Sequence, residues 1–499
     1  MLALGAGLLV SLWAAGGASA AEMLYWDNYG GEPDNVGFAN LDGSGGGQLN
    51  LGTQKLESPE GLAYDVRTNR IFVPNEEGAT GSILAINLDG SGASQFTAPG
   101  APISEPEGVA VDPTRGLIFW ENTEGAGSIA WAKLDGSAGG ALNTTGAPVE
   151  GPCCRIAIDP AGGRVYWVNQ TPKTNTIGYA NLDNSGGGGV LNLTGSTVEP
   201  GGEGLAVDPV SGRLYFTGGN NEIGYANLNG TGGGTVPLGT APINGPYGLA
   251  FDPASGRLYW GNESNAAVRV NAFGFTDAAG GGGVTIATAP VTNPQDPLII
   301  KSPANTAAPT VAKAHSALSC STGSWAAGNP GGFVYQEPAS YSYQWLRGGA
   351  PVGGATASTF TATAAGSYSC TVTATNGMGS ASSTSAAAAT VKAAKFKLVV
   401  KTKKAKAKPG KLATFKLQAQ NQGDLKSKSS SICVKLTKAQ RQALKAPKCK
   451  KLGQVGAAVR KTVKLKIKVK PEAQGTYKIK LVPKGTGGKA VKAKLQVIG

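Results

Sequence analysis

Short segments in which apolar and small residues alternate recur along the first three hundred residues. Residues 247–262 read YGLAFDPASGRLYWGN. Leu249 and Phe251 alternate with Ala250, which is the two-residue period of a β-strand. Asp252 and Pro253 favour a turn, and the aromatic run at 258–260 favours a second strand. The segment therefore predicts two antiparallel strands joined by a tight turn.

This two-strand segment is a repeat unit. Further copies begin at residues 60, 107, 154 and 203, and LYWDN at 24–28 is the second half of another copy. The position of the tyrosine recurs at steps of 47, 47, 47, 49 and 44 residues, at Tyr25, Phe72, Phe119, Tyr166, Tyr215 and Tyr259. A period in the forties is typical of a repeat array.

Each unit continues into a third strand that ends in a hairpin turn. The five clearest third strands read VGFANLDGSG, ILAINLDGSG, IAWAKLDGSA, IGYANLDNSG and IGYANLNGTG, starting at residues 36, 83, 129, 177 and 223. Asp-Gly and Asn-Gly tolerate the positive φ that a tight hairpin turn requires. A fourth short strand follows each turn. Four strands per unit and six units predict a six-bladed β-propeller.

The ends of the array are complementary. The first copy lacks its opening strand, whereas residues 293–301, NPQDPLIIK, supply an opening strand with no second strand behind it. We therefore expect residues 298–300 to pair with the sheet that contains residues 24–26. This pairing would close the ring and leave no open sheet edge.

The LYWDN, LDGSG and EGLAVDP motifs resemble the YWTD repeats of the low-density-lipoprotein-receptor family over residues 23–301. The resemblance implies a six-bladed propeller in an extracellular ligand-binding protein. At six positions where the family usually has Asp, this chain has Asn or Gly instead. We expect the Asn side chains to lock turns. The departures are Asn28, Asn75, Asn122, Asn169, Asn262 and Gly218.

The first twenty residues have the features of a signal peptide. Residues 2–15 are apolar, and Ala18-Ser19-Ala20 fits a signal-peptidase site. Lys and Arg are absent before Lys55, which leaves a start codon placed too late or an atypical signal as explanations. No later stretch approaches the ~20 apolar residues of a spanning helix. The prediction is a secreted or cell-surface protein with a signal peptide at 1–20.

The repeat period ends near residue 302, and residues 302–391 have a different pattern. Cys320, Trp345 and Cys370 occur in that order, and Tyr368 stands two residues before the second Cys. This order fits an immunoglobulin-like β-sandwich and resembles bacterial surface-protein modules of that type. In that interpretation a Cys320–Cys370 disulfide joins the sheets, and the alternative is two unrelated thiols.

Residues 392–499 are strongly basic. They hold 31 Lys and Arg and 2 acidic residues, a net charge of +29, so residues 1–391 carry −15 of the chain's +14. Cys433 and Cys449 flank a candidate helix at 438–444 that Thr437 would cap, and a disulfide between them is expected. We interpret this region as a second, smaller sandwich that resembles bacterial adhesion-type immunoglobulin-like modules.

A ladder of lysines stands out in the basic region. Lys464, Lys466, Lys468 and Lys470 alternate with apolar residues, which predicts a strand with one apolar and one cationic face. Such a face would suit an anionic envelope polymer such as a teichoic acid, an acidic polysaccharide or a lipid headgroup surface. Nucleic acid is a less favoured partner. The alternative is that these lysines only prevent edge-to-edge aggregation.

Histidine chemistry is excluded from the propeller, because the chain's single histidine is His315. A different set of candidates begins the inner strand of each unit. We place these residues round one mouth of the central channel: Glu60, Glu107, Cys154, Glu203, Tyr247 and Gln295. Their carboxylates could bind Ca²⁺ or a cationic ligand, as lactone-hydrolase propellers do with Ca²⁺. The alternative is that they face solvent or accept backbone N–H groups.

Cys153 and Cys154 interrupt this ring of polar residues. In an oxidising compartment the pair could form a vicinal disulfide at a ligand site, with Arg155 beside it as an anchor for an anion. The alternative is a pair of small buried residues. The sequence does not decide between these two interpretations.

The chain is therefore predicted to be an all-β multidomain protein, with a six-bladed β-propeller followed by two immunoglobulin-like β-sandwiches. The favoured function is that of a secreted, monomeric, bacterial cell-surface binding protein. Its propeller would present a site for an unidentified protein or glycan, and its basic module would hold it at an anionic envelope. The alternative is a Ca²⁺-dependent propeller hydrolase or lyase that uses the Glu ring. A scaffold without a ligand is a third possibility.

Overall fold

A computed structural model describes residues 21–28, 34–76, 81–170, 175–262, 272–277, 280–286, 294–485 and 487–499. The expected signal peptide lies outside these residues. The chain forms two compact units. The first comprises Met1–Ala304, Trp325–Ser340 and Ala374–Ala381, and the second comprises Asn305–Ser324, Tyr341–Thr373 and Ser382–Gly499. Among the described residues, no helix combines the length and the apolar character needed to span a bilayer.

The first unit contains six four-stranded antiparallel blades. Their strands, in chain order, are β1 (Glu22–Asn28), β2 (Asn35–Asn40), β3 (Gly47–Gln48), β4 (Ala63–Asp65), β5 (Arg70–Asn75), β6 (Ser82–Asn87), β7 (Ser94–Phe96), β8 (Pro106–Asp112), β9 (Leu117–Asn122), β10 (Ser128–Lys133), β11 (Gly139–Ala141), β12 (Pro152–Asp159), β13 (Arg164–Asn169), β14 (Thr176–Asn181), β15 (Gly189–Val190), β16 (Pro200–Asp208), β17 (Arg213–Gly218), β18 (Glu222–Asn227), β19 (Gly233–Thr235), β20 (Pro246–Asp252), β21 (Arg257–Asn262), β22 (Ala272–Asp277), β23 (Gly280–Thr285) and β24 (Leu298–Lys301). The predicted six-bladed β-propeller is confirmed.

The ring closes through the two ends of the array. Strand β24 pairs antiparallel with β1, so that Tyr25 lies opposite Leu298 and Met23 lies opposite Ile300. The first blade is therefore assembled in the order β24-β1-β2-β3 from both ends of the propeller sequence. The predicted closure is confirmed, and it removes the free inner edge that the first blade would otherwise expose.

Four of the asparagines at the ends of the second strands lock turns, whereas Asn28 bonds to the side chains of Trp26 and Asn35. Asn75 Oδ1 accepts a hydrogen bond from Glu57 N at 2.6 Å, and Asn122 Oδ1 accepts one from Ser104 N at 2.9 Å. Asn169 and Asn262 accept equivalent bonds in their own blades. Each bond ties the end of a second strand to the loop that leads into its inner strand. A side-chain amide thus satisfies a loop N–H that the sheet leaves unpaired.

A segment from beyond the repeats fills the centre of the propeller. After strands β25 (Asn305–Ala307), β26 (Val311–Ala314), β27 (Ala317–Cys320) and β28 (Ser324–Trp325), the chain forms a 3₁₀ turn (Pro330–Gly332) and strand β29 (Val334–Tyr335). Strand β29 pairs parallel with β24, with Val334 opposite Ile299. Asn329 Nδ2 donates to the carbonyl oxygens of Val207 and Phe251 at 2.9 and 3.0 Å.

We call the space enclosed by the six innermost strands β24, β4, β8, β12, β16 and β20 the hub. Val207 and Phe251 lie at the carboxyl ends of β16 and β20, so the inserted segment covers this end of the hub. Phe333, Val334 and Tyr335 are at most 2% exposed. The sequence pattern predicts one separate domain at residues 302–391. Those boundaries remain a prediction, but this stretch contributes core residues to the propeller unit.

A two-sheet region follows, most of which belongs to the second unit, although Ser340 and Ala374–Ala381 belong to the first. Its remaining strands are β30 (Ser340–Arg347), β31 (Ala350–Pro351), β32 (Thr359–Thr361), β33 (Gly366–Asn376), β34 (Gly379–Thr384) and β35 (Ala389–Val391). A Cys320–Cys370 disulfide joins β27 of one sheet to β33 of the other. Trp345 is fully buried, and the Tyr368 hydroxyl donates to Ala364 O at 2.8 Å. These are the contacts that the Cys-Trp-Tyr-Cys order predicted, and the immunoglobulin-like family assignment stays a prediction.

The basic region folds as two sheets packed on one core. Its elements are β36 (Phe396–Val400), β37 (Lys404–Ala407), β38 (Leu412–Asn421), β39 (Ser430–Lys435), α1 (Lys438–Ala443), β40 (Leu444–Lys445), β41 (Cys449–Gly453), β42 (Arg460–Val469), β43 (Thr476–Lys484) and β44 (Val491–Val497). The sheets have the orders β36-β38-β42-β40 and β37-β44-β43-β39-β41. Thr437 and Gln440 form a capping box at α1, and a Cys433–Cys449 disulfide joins β39 to β41.

Candidate functional site

The candidate residues lie within the inner strands or up to three residues before them, and their role as a ligand site stays a prediction. Glu60, Glu107 and Tyr247 are 7%, 7% and 6% exposed, and Gln295 is 1% exposed. Glu203 is half-buried. Glu107 and Glu203 both lie close enough to Glu60 to raise its pKa. The alternative that these carboxylates face solvent does not hold for Glu60 or Glu107, but Glu107 does accept a backbone N–H, from Cys154.

The residue directly after each candidate distinguishes two blades from the other four. Four blades have glycine there, whereas the fourth blade has Arg155 and the first blade has Asp296. Arg155 Nη1 lies 2.7 Å from Asp296 Oδ1, and both side chains are fully buried. Blades one and four face each other in a six-membered ring, so this ion pair crosses the hub. The Arg155 guanidinium also stacks 3.7 Å above the ring centroid of Phe333.

Two further carboxylates reach the hub from the second strands. Asp27 on β1 accepts backbone hydrogen bonds from Gly61 N at 3.1 Å and Asp296 N at 2.9 Å. Glu121 on β9 lies opposite Glu107 in the strand register and is fully buried. Neither carboxylate oxygen of Glu121 has a hydrogen-bond partner among the described residues. Asp27 and Glu121 occupy the same position in their repeats, directly before Asn28 and Asn122.

Burial raises the pKa values of the hub carboxylates. Burial raises the pKa of Asp27 to about 6, against the opposing effect of its backbone hydrogen bonds. Burial, reinforced by Glu76, raises the pKa of Glu107 to about 7. The pKa values of Glu60 and Glu121 lie well above their usual range because of burial first and neighbouring carboxylates second. Burial likewise raises the pKa of Asp296, and Arg155 opposes that rise.

A subset of these groups has the arrangement of a cation site. Oxygen atoms of Glu60, Glu76 and Glu107 all lie within 4.8 Å of one another. Glu60 Oε2 is buried and has no hydrogen-bond partner among the described residues. Carboxylate oxygens at this spacing suit a hard cation such as Ca²⁺, or an ammonium group. A bound cation would also offset the repulsion between the three carboxylates.

The adjacent cysteines are joined by a vicinal disulfide. Cys154 has a positive φ of 79°, and its backbone N donates to Glu107 Oε2 at 2.7 Å. Strand β12 shifts register between Cys153 and Ile156. A role for this bridge at a ligand site stays a prediction. The Cys154 backbone orients the Glu107 carboxylate through this hydrogen bond.

Other predicted site residues have different surroundings. Arg155 lies among carboxylates, which disfavours an anion beside it, and its role as an anion anchor stays a prediction. Lys464, Lys466 and Lys468 are exposed on β42 in the second unit, and Lys470 is half-buried just after the strand. These lysines are not part of the hub.

Sequence reasoning missed Asp27, Glu121 and Asp296. The first two stand at a repeat position where the other copies have Pro74, Val168, Thr217 and Gly261. The sequence signal for Asp27 and Glu121 was an acidic residue at a repeat position that is uncharged in the other four copies. Asp296 stands at a position that is glycine in four copies. Comparison of the repeat columns would have identified all three.

No protein-family model matches the chain, and no curated protein matches it. Solved structures of propeller-type proteins are similar at low identity. A chain of a nidogen/laminin complex is 16% identical with a TM-score of 0.40, covering 53% of this chain and 99% of its own. A putative TolB from Agrobacterium tumefaciens is 12% identical with a TM-score of 0.38, covering 56% and 98%. A gluconolactonase from Xanthomonas campestris is 15% identical with a TM-score of 0.37, covering 62% and 95%.

The six sheets themselves define the class: the chain contains a β-propeller, and its hub is acidic. The solved neighbours differ in what they do, since one is part of a protein complex and another is an enzyme. Similarity at this low level shows the fold alone. The function therefore has to be inferred from the chemistry of the hub and of the basic sandwich.

Proposed function

We propose that this chain is a secreted or cell-surface binding protein whose propeller hub accepts a cationic group of a ligand. The observation that carries the proposal is the fully buried Glu121, whose carboxylate oxygens have no hydrogen-bond partner among the described residues. A buried carboxyl group without a partner is costly, whether it is charged or protonated. A cation entering the hub would supply the missing partner.

The balance of charge in the hub supports a cation rather than an anion. Asp27, Glu60, Glu107 and Glu121 are buried acidic groups, and Arg155 is already paired with Asp296. Their raised pKa values mean that the hub holds protons near neutral pH. A cation that displaces these protons gains several oxygen partners at once. Binding would therefore release protons and strengthen as pH rises.

The test is a thermal-shift screen of the full chain with Ca²⁺, Mg²⁺, spermidine and a lysine-rich peptide. We expect at least one of these cations to raise the melting temperature of the wild type. The variants Glu60→Gln and Glu121→Gln should lose the effect, because an amide keeps the volume but not the charge. Glu199→Gln is the control, since Glu199 is exposed. A wild type that responds to none of the four probes would overturn the proposal.

The enzyme alternative uses the same residues. The clustered oxygens of Glu60, Glu76 and Glu107 fit the preference of Ca²⁺ for hard oxygen ligands, and these residues would hold the ion. A cation held there would lower the raised pKa of Glu107, so this carboxylate is assigned the role of ligand rather than of general base. These observations favour a hydrolase or lyase as the second candidate.

One experiment distinguishes the two candidates. A binding protein would respond to the cation without turnover. A Ca²⁺-dependent hydrolase would cleave an aryl ester or a lactone only with Ca²⁺ present and would lose this activity in Glu107→Gln. Glu203→Gln should weaken the Ca²⁺ response as well, because Glu203 acts on Glu60 electrostatically. Turnover that persists in chelator would exclude the Ca²⁺-dependent hydrolase.

We further propose that the basic sandwich retains the protein at an anionic envelope. On β42, Lys464 lies directly opposite Lys416 of β38, although like charges directly opposite each other destabilise a sheet. A polyanion would relieve this repulsion. Retention should weaken as salt rises, because these charges are exposed. The test is pull-down of the full chain by isolated cell wall at low and high salt. The triple variant Lys464→Gln/Lys466→Gln/Lys468→Gln should dissociate at a lower salt concentration than the wild type.

A further inference from the structure

Lysines form two rows on the sheet that does not contain β42. In the first row, Lys478 of β43 lies opposite Lys494 of β44, which lies opposite Lys404 of β37. In the second row, Lys480 of β43 lies between Lys492 of β44 and Lys435 of β39. All six side chains are exposed. We call this surface the β43 face.

The sheet that contains β42 has its own cationic surface. Lys464 lies opposite Lys416, Lys466 lies opposite Thr414, and Lys468 lies opposite Lys445 of β40. The four lysines Lys416, Lys464, Lys466 and Lys468 are exposed. We call this surface the β42 face. It contains three of the four lysines that the sequence pattern identified.

The two faces point in opposite directions. Leu465 and Ile467 alternate with the lysines of β42, and Ile479 and Leu481 alternate with the lysines of β43. These four apolar residues belong to one buried core between the sheets. Because successive side chains of a strand point to opposite sides, lysines on both sheets point away from that core. The sandwich is cationic on both outer surfaces.

Neither face contains an acidic residue that could neutralise its rows. The two acids of this region are Asp424, which pairs with Lys313 at 2.9 Å, and Glu472, which lies after β42 outside any strand. Neighbouring strands are about 4.8 Å apart and alternate residues about 6.6 Å apart, so each face is a closely spaced lattice of positive charge. Edge protection does not explain it, because β43 and β44 are central strands of their sheet.

We infer that the sandwich is bivalent and joins two segments of a linear phosphate polyanion, one on each face. This inference rests on the proposed retention role. A flat lipid surface could neutralise only one of two opposed faces, whereas a flexible polymer can reach both. The exposed positions of the two lattices include no aromatic side chain among the described residues, so they lack a platform on which nucleobases stack. A polymer of phosphodiesters without bases fits both observations.

The test uses the full chain and lipid-free poly(glycerol phosphate) as the probe. Light scattering reports cross-linking of the polymer, and calorimetry reports binding. Three variants each replace four lysines with Gln. The first changes the β42 face at Lys416, Lys464, Lys466 and Lys468. The second changes the β43 face at Lys478, Lys480, Lys492 and Lys494. The matched control changes four exposed lysines that lie outside the strands: Lys426, Lys428, Lys448 and Lys489.

The wild type and the control should cross-link the polymer, with maximal scattering near equivalence and loss of scattering at about 0.5 M NaCl. Each face variant should still bind, with affinity reduced by about tenfold because phosphate contacts are lost, but should no longer cross-link. Circular dichroism would establish that each variant is folded.

Other results would count against the inference in distinguishable ways. A wild type that does not bind the polymer would overturn the retention role itself. A wild type that binds, with face variants that still cross-link, would overturn bivalency alone. Stronger binding to phosphatidylglycerol vesicles or to oligothymidylate than to the polymer would assign the faces to a membrane or to nucleic acid instead.

Discussion

Arg155 and Asp296 form an ion pair across the hub, with Nη1 of Arg155 2.7 Å from Oδ1 of Asp296. They replace glycine at one position of the repeat in two facing blades. The glycines of the other blades make room for them. A Cβ at Gly108 would lie 2.6 Å from Arg155 Cα, and a Cβ at Gly248 would overlap the Asp296 carboxylate. The hub is therefore packed around a charged pair that one repeat copy could not build alone.

Loss of Arg155 should strongly destabilise the propeller. Arg155→Met removes the partner of the buried Asp296, and breaking a buried pair on one side costs about 3–5 kcal/mol in the free energy of unfolding. Arg155→Met/Asp296→Leu should recover most of this loss, because it removes both charges. Urea unfolding measures both variants. Arg67→Met is the control, since Arg67 is half-exposed and its pair with Asp65 should contribute less than about 1 kcal/mol. Equal losses for Arg155→Met and Arg67→Met would contradict the prediction.

A methyl group at Gly248 should disrupt the same pair. Gly248→Ala places a Cβ on the Asp296 carboxylate, and overpacking of a buried site typically costs 1–3 kcal/mol. Gly219→Ala is the matched control, because a Cβ there meets no atom within 4 Å. Asp296→Ala should partly rescue Gly248→Ala in a double-mutant cycle of unfolding free energies. A rescue of zero would show that the two positions are not coupled.

Glu107 should make stability depend on pH. The folded protein raises the pKa of Glu107 from 4.5 to about 7, so this group's contribution to stability is fully present below its unfolded pKa. It is lost as pH rises through about 7, a change on the order of 3 kcal/mol. Glu107→Gln keeps an acceptor for Cys154 N but cannot ionise. Its stability relative to wild type should therefore improve between about pH 4.5 and pH 7.5, as measured by urea unfolding.

The exposed Glu199 provides the control for this titration. The difference in unfolding free energy between Glu199→Gln and wild type should stay constant over the same pH range, since Glu199 is exposed. A Glu107→Gln difference that is equally flat would mean that Glu107 titrates normally in the folded protein. Repeating the series with a cation that binds the hub should reduce the pH dependence, because the cation competes with the proton.

Phe333 should be essential to the propeller although it lies outside the repeats. Its ring is fully buried and stacks on the Arg155 guanidinium at 3.7 Å. Phe333→Ala should lower the unfolding free energy by about 3–5 kcal/mol, because it leaves a cavity in the hub. Tyr341→Ala, at a residue that is 40% exposed, is the control and should cost much less. Calorimetry of the full chain measures both, and similar melting temperatures for both would contradict the role of Phe333.

The blades were predictable because each contains its own signals. The alternation at Leu249 and Phe251, the turn at Asp252 and the Asn-Gly and Asp-Gly hairpins are all local in sequence. The ring closure was also predictable, since an unpaired strand at each end leaves one natural partner for Leu298. The positions of Glu60 and Glu107 followed from the repeat register alone.

The other charged residues of the hub could not be predicted by considering each repeat separately. Asp27 and Glu121 lie on second strands, and whether such residues face the hub depends on how the blades are tilted and packed. Glu121 lies opposite Glu107 only because β8 and β9 pair in a particular register. The partner of Arg155 lies 141 positions away, at Asp296. Long-range pairs of this kind leave no periodic signal.

The six blades, their closure and the lysine ladder of β42 could be predicted from the sequence, because periodicity and composition are local properties of the chain. The disulfides Cys320–Cys370 and Cys433–Cys449, the position of residues 329–335 in the hub, the pairing of Arg155 with Asp296 and the second lysine lattice on the sheet of β43 became evident from the folded chain. Each of these depends on the packing of segments that are separated in sequence, and packing is set by the shape of the whole core rather than by any one pattern.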